Sequence, residues 1–239
     1  MQPIRIFRHV LCEGPGYLGR FLDREGVPWK LVCLDEGISV PEDLDAVSSL
    51  VFMGGNMSVR EPLDWIAQEQ KLIRRAHRLG VPMMGVCFGA QLISKALGGS
   101  VIRSPKGMEA GWYPLTRVKD CHCDGWLVGL PEEIHTFHWH GETFTPPPGS
   151  RPLLESDCFY NQAFALADNI GMQFHLEMTE EMVHGWIRQY GSGLDPGSRY
   201  TQNASEMTRN LQQRVQRLHR VADVIYGQWL ARVRRHNSA

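Results

Sequence analysis

The stretch Gly85-Val86-Cys87-Phe88-Gly89-Ala90-Gln91 sits where an apolar run meets residues that favour a helix. A cysteine on such a strand-to-helix turn projects above the sheet edge, and it needs glycines beside it because side chains there would collide. The helix start adds backbone N–H donors and the positive dipole end, which favour thiolate over thiol. The Phe88 amide is then free to face a developing oxyanion. A cysteine nucleophile needs a base, and among ten histidines His175 stands out. Gly171-Met172-Gln173-Phe174-His175-Leu176-Glu177 reads as an apolar strand ending in a histidine, with a carboxylate two positions later. Positions two apart share a strand face, so Glu177 can orient the His175 ring. The third piece, Phe52-Met53-Gly54-Gly55-Asn56-Met57-Ser58, places paired glycines where a backbone N–H can approach a ligand closely. Each motif alone also has a plainer reading: a buried cysteine, a core histidine satisfied by a carboxylate, a loop opening. Their weight lies in combination, because ligands of open parallel sheets bind at the carboxyl ends of strands.

The elements needed to bring these tips together are legible. Ile4–Phe7, Lys30–Leu34, Ser49–Met53 and Val81–Val86 read as strands, and Leu18–Glu25, Trp65–Leu79 and Ala90–Leu97 as helices closed by glycine. Strand and helix in alternation imply a parallel sheet covered on both faces. Residues 100–175 offer strand-like pieces between Gly and Pro clusters, of which Pro146-Pro147-Pro148-Gly149 is the clearest break. Helical character returns at Thr179, pauses over residues 191–197, and resumes as one long helix from about Ala204 to Arg234. The expectation is one domain over residues 1–239, with residues 191–239 as a helical appendage.

Composition narrows the function classes. The 239 residues are 43% hydrophobic and 21% charged with a formal net charge of −1, so no basic field points to nucleic acid or anionic lipid. The apolar runs are too short to span a bilayer, and Met1–Phe7 is too short and too charged for a secretory signal. Six cysteines over this length form no disulfide framework. A soluble, cytoplasmic chain is expected, with no membrane or nucleic-acid partner.

The motifs together resemble class I glutamine amidotransferases, and most nearly the stand-alone branch similar to the glutaminase part of GMP synthase. Gly-Val-Cys-Phe-Gly-Ala-Gln, the Gly54-Gly55 loop and Phe-His-Leu-Glu carry the resemblance. Further agreement comes from His9-Val10, Glu13-Gly14-Pro15-Gly16, Glu109-Ala110-Gly111-Trp112, His138-Trp139-His140-Gly141 and Asn161-Gln162-Ala163-Phe164. The resemblance spans roughly residues 4–190. It implies a flavodoxin-like α/β fold and hydrolysis of a γ-glutamyl amide by a Cys-His-Glu triad, with no metal or organic cofactor. By position it implies Cys87 as nucleophile, His175 as base and acid, and Glu177 as the orienting carboxylate. It implies Gly55 and Phe88 as oxyanion donors, and Gln91, His140 and Gly141 as substrate-binding residues. Where the family usually has prolines after the catalytic histidine and after the glycine pair, this chain has Leu176 and Asn56; Glu142 replaces a frequent Asp. No P-loop occurs in the sequence, so any ammonia acceptor belongs to a separate synthetase subunit.

Several alternatives stay open at this level. A γ-glutamyl peptidase acting on larger amides uses the same residues, and a non-catalytic regulatory module could keep the same fold. Cys121-His122-Cys123 with His135, His138 and His140 suggests zinc, but Cys-x-Cys lacks the paired spacing of structural zinc modules. The glycines of Glu13–Gly19 lack the Lys-Ser/Thr ending of a phosphate loop, which favours a plain βα loop. Met207, Leu211, Val215, Leu218, Ala222, Ile225 and Trp229 form a helical stripe suited to packing on the domain itself. From Ala204 onward seven arginines face only two acids, Glu206 and Asp223, which reads as a solvated basic face or as a dock for an acidic partner.

Overall fold

A computed structural model describes residues 1–104, 106–119, 125–195 and 197–238. Among the described residues, eleven strands and six α-helices follow one another as β1 (Ile4–Arg8), α1 (Gly16–Arg24), β2 (Trp29–Cys33), β3 (Ser49–Phe52), α2 (Asp64–Arg78), β4 (Met83–Val86), α3 (Phe88–Ala96), β5 (Val101–Arg103), β6 (Glu109–Arg117), β7 (Glu133–His140), β8 (Glu142–Phe144), β9 (Arg151–Glu155), β10 (Ala163–Leu166), β11 (Asn169–Met172), α4 (Glu180–Tyr190), α5 (Ala204–Thr208) and α6 (Leu211–His236). The large sheet has the order β2-β1-β3-β4-β11-β10-β9-β6-β7, while β5 and β8 form a small ribbon. From β2 to β11 every pairing is parallel; from β11 to β7 every pairing is antiparallel. Only β10 and β6 run against the other seven strands of this sheet, so it is mostly parallel and, with its helices, has the expected flavodoxin-like form.

Side-chain alternation divides the parallel half into two cores. Ile4, Ile6, Val51, Met84, Val86, Ile170 and Met172 face α1 and α6. Phe7, Leu50, Phe52 and Met83 face α2 and α3. Burial on both faces explains why these strands read as continuous apolar runs. The register aligns Phe7, Phe52, Gly85 and Gly171 in one cross-strand row, so the residues after β1, β3, β4 and β11 reach the sheet rim side by side. No described helix is long and apolar enough to cross a membrane.

The structure corrects three sequence expectations in detail. The helix expected from Ala90 begins at Phe88, placing Cys87 directly at its N-cap. The strand expected to end at His175 stops at Met172, and His175 continues only as an isolated bridge to Phe137. The single helix over 204–234 is two helices, because Asn210 adopts φ 54° and turns the chain between α5 and α6. Asparagine tolerates that left-handed conformation better than most residues. The predicted apolar stripe of the two helices is buried along its whole length, from Met207 to Trp229.

Candidate active site

Cys87 has φ 49° and ψ −107°, a conformation that non-glycine residues adopt at a cost. Its surroundings hold it there. The Cys87 amide donates to the Met172 carbonyl at 2.7 Å, and the Gln91 amide donates back to the Cys87 carbonyl at 3.1 Å. A Cβ on Gly85 would lie 2.6 Å from the Ala90 nitrogen, and one on Gly89 would lie 1.9 Å from the Phe52 carbonyl oxygen. Both glycines are therefore required for α3 to start this close to β3 and β4. The Cys87 sulfur accepts from Gln173 Nε2 at 3.4 Å, and Gln173 Oε1 accepts from Gln91 Nε2 at 3.2 Å. Gln91 also donates to the Glu142 carbonyl at 3.3 Å.

His175 reaches the same rim from β11. Its amide is fixed by the Phe137 carbonyl at 2.8 Å, and its Nδ1–H donates to Glu177 Oε1 at 2.7 Å. The Trp186 ring stands edge-on to the imidazole, with centroids 4.8 Å apart. Burial penalises the imidazolium, but the Glu177 carboxylate and the Cys87 sulfur outweigh it and hold the His175 pKa well above its usual value. Nε2 is buried without a well-formed hydrogen bond, so ring and sulfur interact more loosely than in an ordinary bond. Such contacts tighten when substrate fills an active site. Tyr17 N–H donates to the Glu177 carbonyl at 2.8 Å, and a Cβ on Gly16 would lie 2.2 Å from the same oxygen. The Glu13–Gly19 segment is thus the end of the βα loop and the first turn of α1, and it braces Glu177.

A cavity of about 810 Å³ opens above these groups, lined by Cys87, Gly55, Gln91, His140 and Gly141 among others. Of the residues expected at the site, Phe88 is the first residue of α3 and its ring is buried, and it is not among the residues that line the cavity. The His140 ring is held between the Glu142 carbonyl and Glu109 Oε2, each 3.1 Å away. That leaves the His140–Gly141 segment, more than the imidazole, to meet a ligand. Glu142 accepts from Ser58 Oγ at 2.9 Å and pairs with Arg60, so its length ties the wall to the loop after Gly55.

Sequence reasoning gave no site role to Glu13, Gln173, Trp186 or Tyr190. Glu13 lines the cavity, takes a 3.1 Å hydrogen bond from the Tyr190 hydroxyl, and would meet a Cβ on Gly54 at 2.4 Å. Burial raises its pKa against the pull of His175. Its place in the loop between β1 and α1, beside strands that carry the other groups, was the available signal.

Glu109, His138 and His140 bring donor atoms within 4.8 Å of one another. Gln162 Nε2 and Ser156 Oγ already donate to the two Glu109 oxygens at 2.6 and 2.9 Å, and both rings lie 3.1 Å from Oε2. A metal ion there would have to displace these bonds. His135 is exposed beside Glu133, and Cys121–Cys123 lie outside the described residues.

The sequence pattern of Glutamine amidotransferase class-I matches residues 19–185. The chain belongs to this family. It is similar to the crystal structure of a glutamine amido transferase from Methylobacillus flagellatus, with TM-score 0.92 and 35% identity over 97% of this chain and 95% of that one. It is 37% identical over 175 residues to the glutamine-hydrolyzing GMP synthase subunit of Sulfolobus acidocaldarius, covering 72% of this chain and 84% of the relative. It is 27% identical over 176 residues to gamma-glutamyl peptidase 5 of Arabidopsis thaliana, covering 70% of each. Within class I amidotransferases the row of reactive strand tips is therefore a candidate amide-cleaving centre.

Proposed function

We propose that the protein hydrolyses a γ-glutamyl amide, with glutamine as the simplest member of the class, through a γ-glutamyl thioester on Cys87. The observation that carries this reading is His175 held by Glu177 on one side and facing the Cys87 sulfur on the other, beneath a cavity that Gly55 also lines. With the thiol proton already on His175 Nε2, the Cys87 sulfur attacks the side-chain carbonyl, and the Gly55 and Phe88 amides stabilise the oxyanion. The imidazolium then passes its proton to the leaving nitrogen as the C–N bond breaks. Water, deprotonated by neutral His175, cleaves the thioester to release glutamate and restore the thiol. Gln91 and the His140–Gly141 segment hold the glutamyl portion. Every group of this cycle is present, which favours an enzyme over a regulatory module.

Cavity size favours a second, finer reading. A volume of about 810 Å³ is that of a site for a drug-sized ligand, more than a single amino acid needs. The γ-glutamyl peptidase relative supports larger leaving groups, and the GMP synthase relative supports delivery of ammonia to a separate synthetase subunit. The test is turnover of glutamine, γ-glutamyl dipeptides and γ-glutamyl amines by wild type and Cys87→Ala. Cleavage by wild type alone is expected. Equal turnover by the variant, or no cleavage of any of these by wild type, would refute the hydrolytic assignment.

A further inference from the structure

The interior behind the glycine pair holds a charge pair that the reaction above does not use. His9, the residue after β1, and Glu69, on the inward face of α2, both have fully buried side chains. A carboxylate in the apolar stripe of a helix is costly unless paired, so its position asks for an explanation. His9 Nε2 lies 3.1 and 3.2 Å from the two Glu69 oxygens, and His9 Nδ1 lies 3.1 Å from the Gly54 carbonyl oxygen. Both ring nitrogens face acceptors, and only a doubly protonated ring donates to both. Trp65 stacks on the imidazole at 5.4 Å and Phe88 packs edge-on at 4.9 Å, so the ring has no freedom to turn.

The Gly54 carbonyl is the other end of the peptide unit whose N–H belongs to Gly55. We propose that His9 and Glu69 form a positioning device for the Gly55 amide, in which Nδ1–H grips the Gly54 oxygen, fixes the plane of the Gly54–Gly55 peptide and polarises its N–H toward the oxyanion formed at Cys87. The inference rests on the hydrolytic reading and extends it. A glycine pair is free to rotate its peptide, and pre-organised donors are effective only when they need no rearrangement as charge develops. His9 removes that freedom from behind, without entering the cavity, and its contact with Phe88 joins the two residues that supply the donors. Glu69 and Glu13 are the charged groups that act on the ring, and they outweigh the burial that penalises its cation.

Two polar replacements separate this role from simple core filling. His9→Asn keeps a donor where Nδ1 stood and loses the reach to Glu69; His9→Gln keeps a donor near Nε2 and loses the grip on Gly54. The readouts are hydrolysis of γ-glutamyl-p-nitroanilide and alkylation of Cys87 by iodoacetamide, a displacement at carbon that develops no oxyanion. His9→Gln is expected to lower kcat by about 10²-fold, as loss of one oxyanion donor does, with KM within about threefold. His9→Asn is expected to recover at least about tenfold of that loss, with alkylation within about twofold of wild type in both variants. The proposal is overturned if the two variants turn over equally, if His9→Gln matches wild type, or if alkylation falls in step with hydrolysis. Wild type that cleaves neither the anilide nor glutamine overturns the hydrolytic reading itself and this inference with it, an outcome distinct from the other three.

Discussion

Gly89→Ala tests the geometry that brings the nucleophile to the glycine pair. The new methyl carbon would lie 1.9 Å from the Phe52 carbonyl oxygen, 2.5 Å from the Phe52 carbonyl carbon and 2.8 Å from its Cβ. Real Cβ contacts stay above 3.0 Å, so α3 must retreat from β3 by more than about 1 Å. The obstacle is backbone, which cannot step aside as a side chain can. Overpacking of a close-packed core costs about 1–3 kcal/mol, and a backbone obstacle puts this case at about 3. For a chain of this length each kcal/mol lowers Tm by about 2–4 °C, so a drop of about 6–12 °C is expected in thermal denaturation. Because Cys87 rides on the start of α3 and Gly55 follows β3, the same retreat separates attacking sulfur from oxyanion donor. A misplacement near 1 Å costs about 10²-fold in rate, measurable as hydrolysis of whichever γ-glutamyl amide the substrate screen identifies. Gly227→Ala, in the middle of α6 with nothing within 4 Å of the added carbon, is the control. It should stabilise by about 0.5–1 kcal/mol and leave turnover unchanged. If Gly89→Ala melts within about 2 °C of wild type and turns over normally, the close approach of α3 to β3 is not what sets the site.

His219 stacks on Tyr17 at 3.6 Å, donates from Nε2 to the Met178 carbonyl at 2.9 Å, and has its pKa lowered by burial. Its unfolded form gains a proton before its folded form does. The stabilisation is therefore complete above about pH 6.5 and lost as pH falls through the lower folded value. His219→Gln should flatten the acid limb of stability against pH in urea denaturation, and an unchanged limb would remove His219 from the account. Trp229 is wholly buried on α6, and its indole N–H has no partner among the described residues. Trp229→Ala should cost about 3–5 kcal/mol, while Trp229→Phe should cost well under half of that because no hydrogen bond is lost; chemical denaturation of both measures the difference.

The parallel half of the sheet was legible because its strands are buried on both faces and read as unbroken apolar runs between helices. The nucleophile turn was legible for a related reason: Gly85 and Gly89 answer to steric demands within a few residues of Cys87. Beyond Ser100 the strand pieces could be seen but not their order, since pairing β9 with β6 and β11 with β4 depends on contacts far apart in sequence. Asn210 concealed the break between α5 and α6, because the apolar stripe keeps its spacing through the turn and asparagine alone is a weak stop signal. The strand expected to end at His175 stops three residues sooner, yet His175 and Glu177 still meet, because the bridge to Phe137 keeps the backbone extended there. His9 and Glu69 were beyond reach. Sixty residues separate them, and neither carries a local pattern that names the other.

The two halves of the large sheet divide the labour of the centre. Cysteine, histidine and glycine pair all hang from parallel strands clamped between two helical layers, where almost any change of volume is felt. The outer wall of the cavity comes from the loop after Gly55, the residues around Arg103 and the end of α4, none of them on the parallel strands. On the proposed hydrolytic reading, substitutions in that wall would change which amides fit while the strand tips carrying Cys87, His175 and the glycine pair stay in place, so that one set of reacting groups would serve differently shaped substrates.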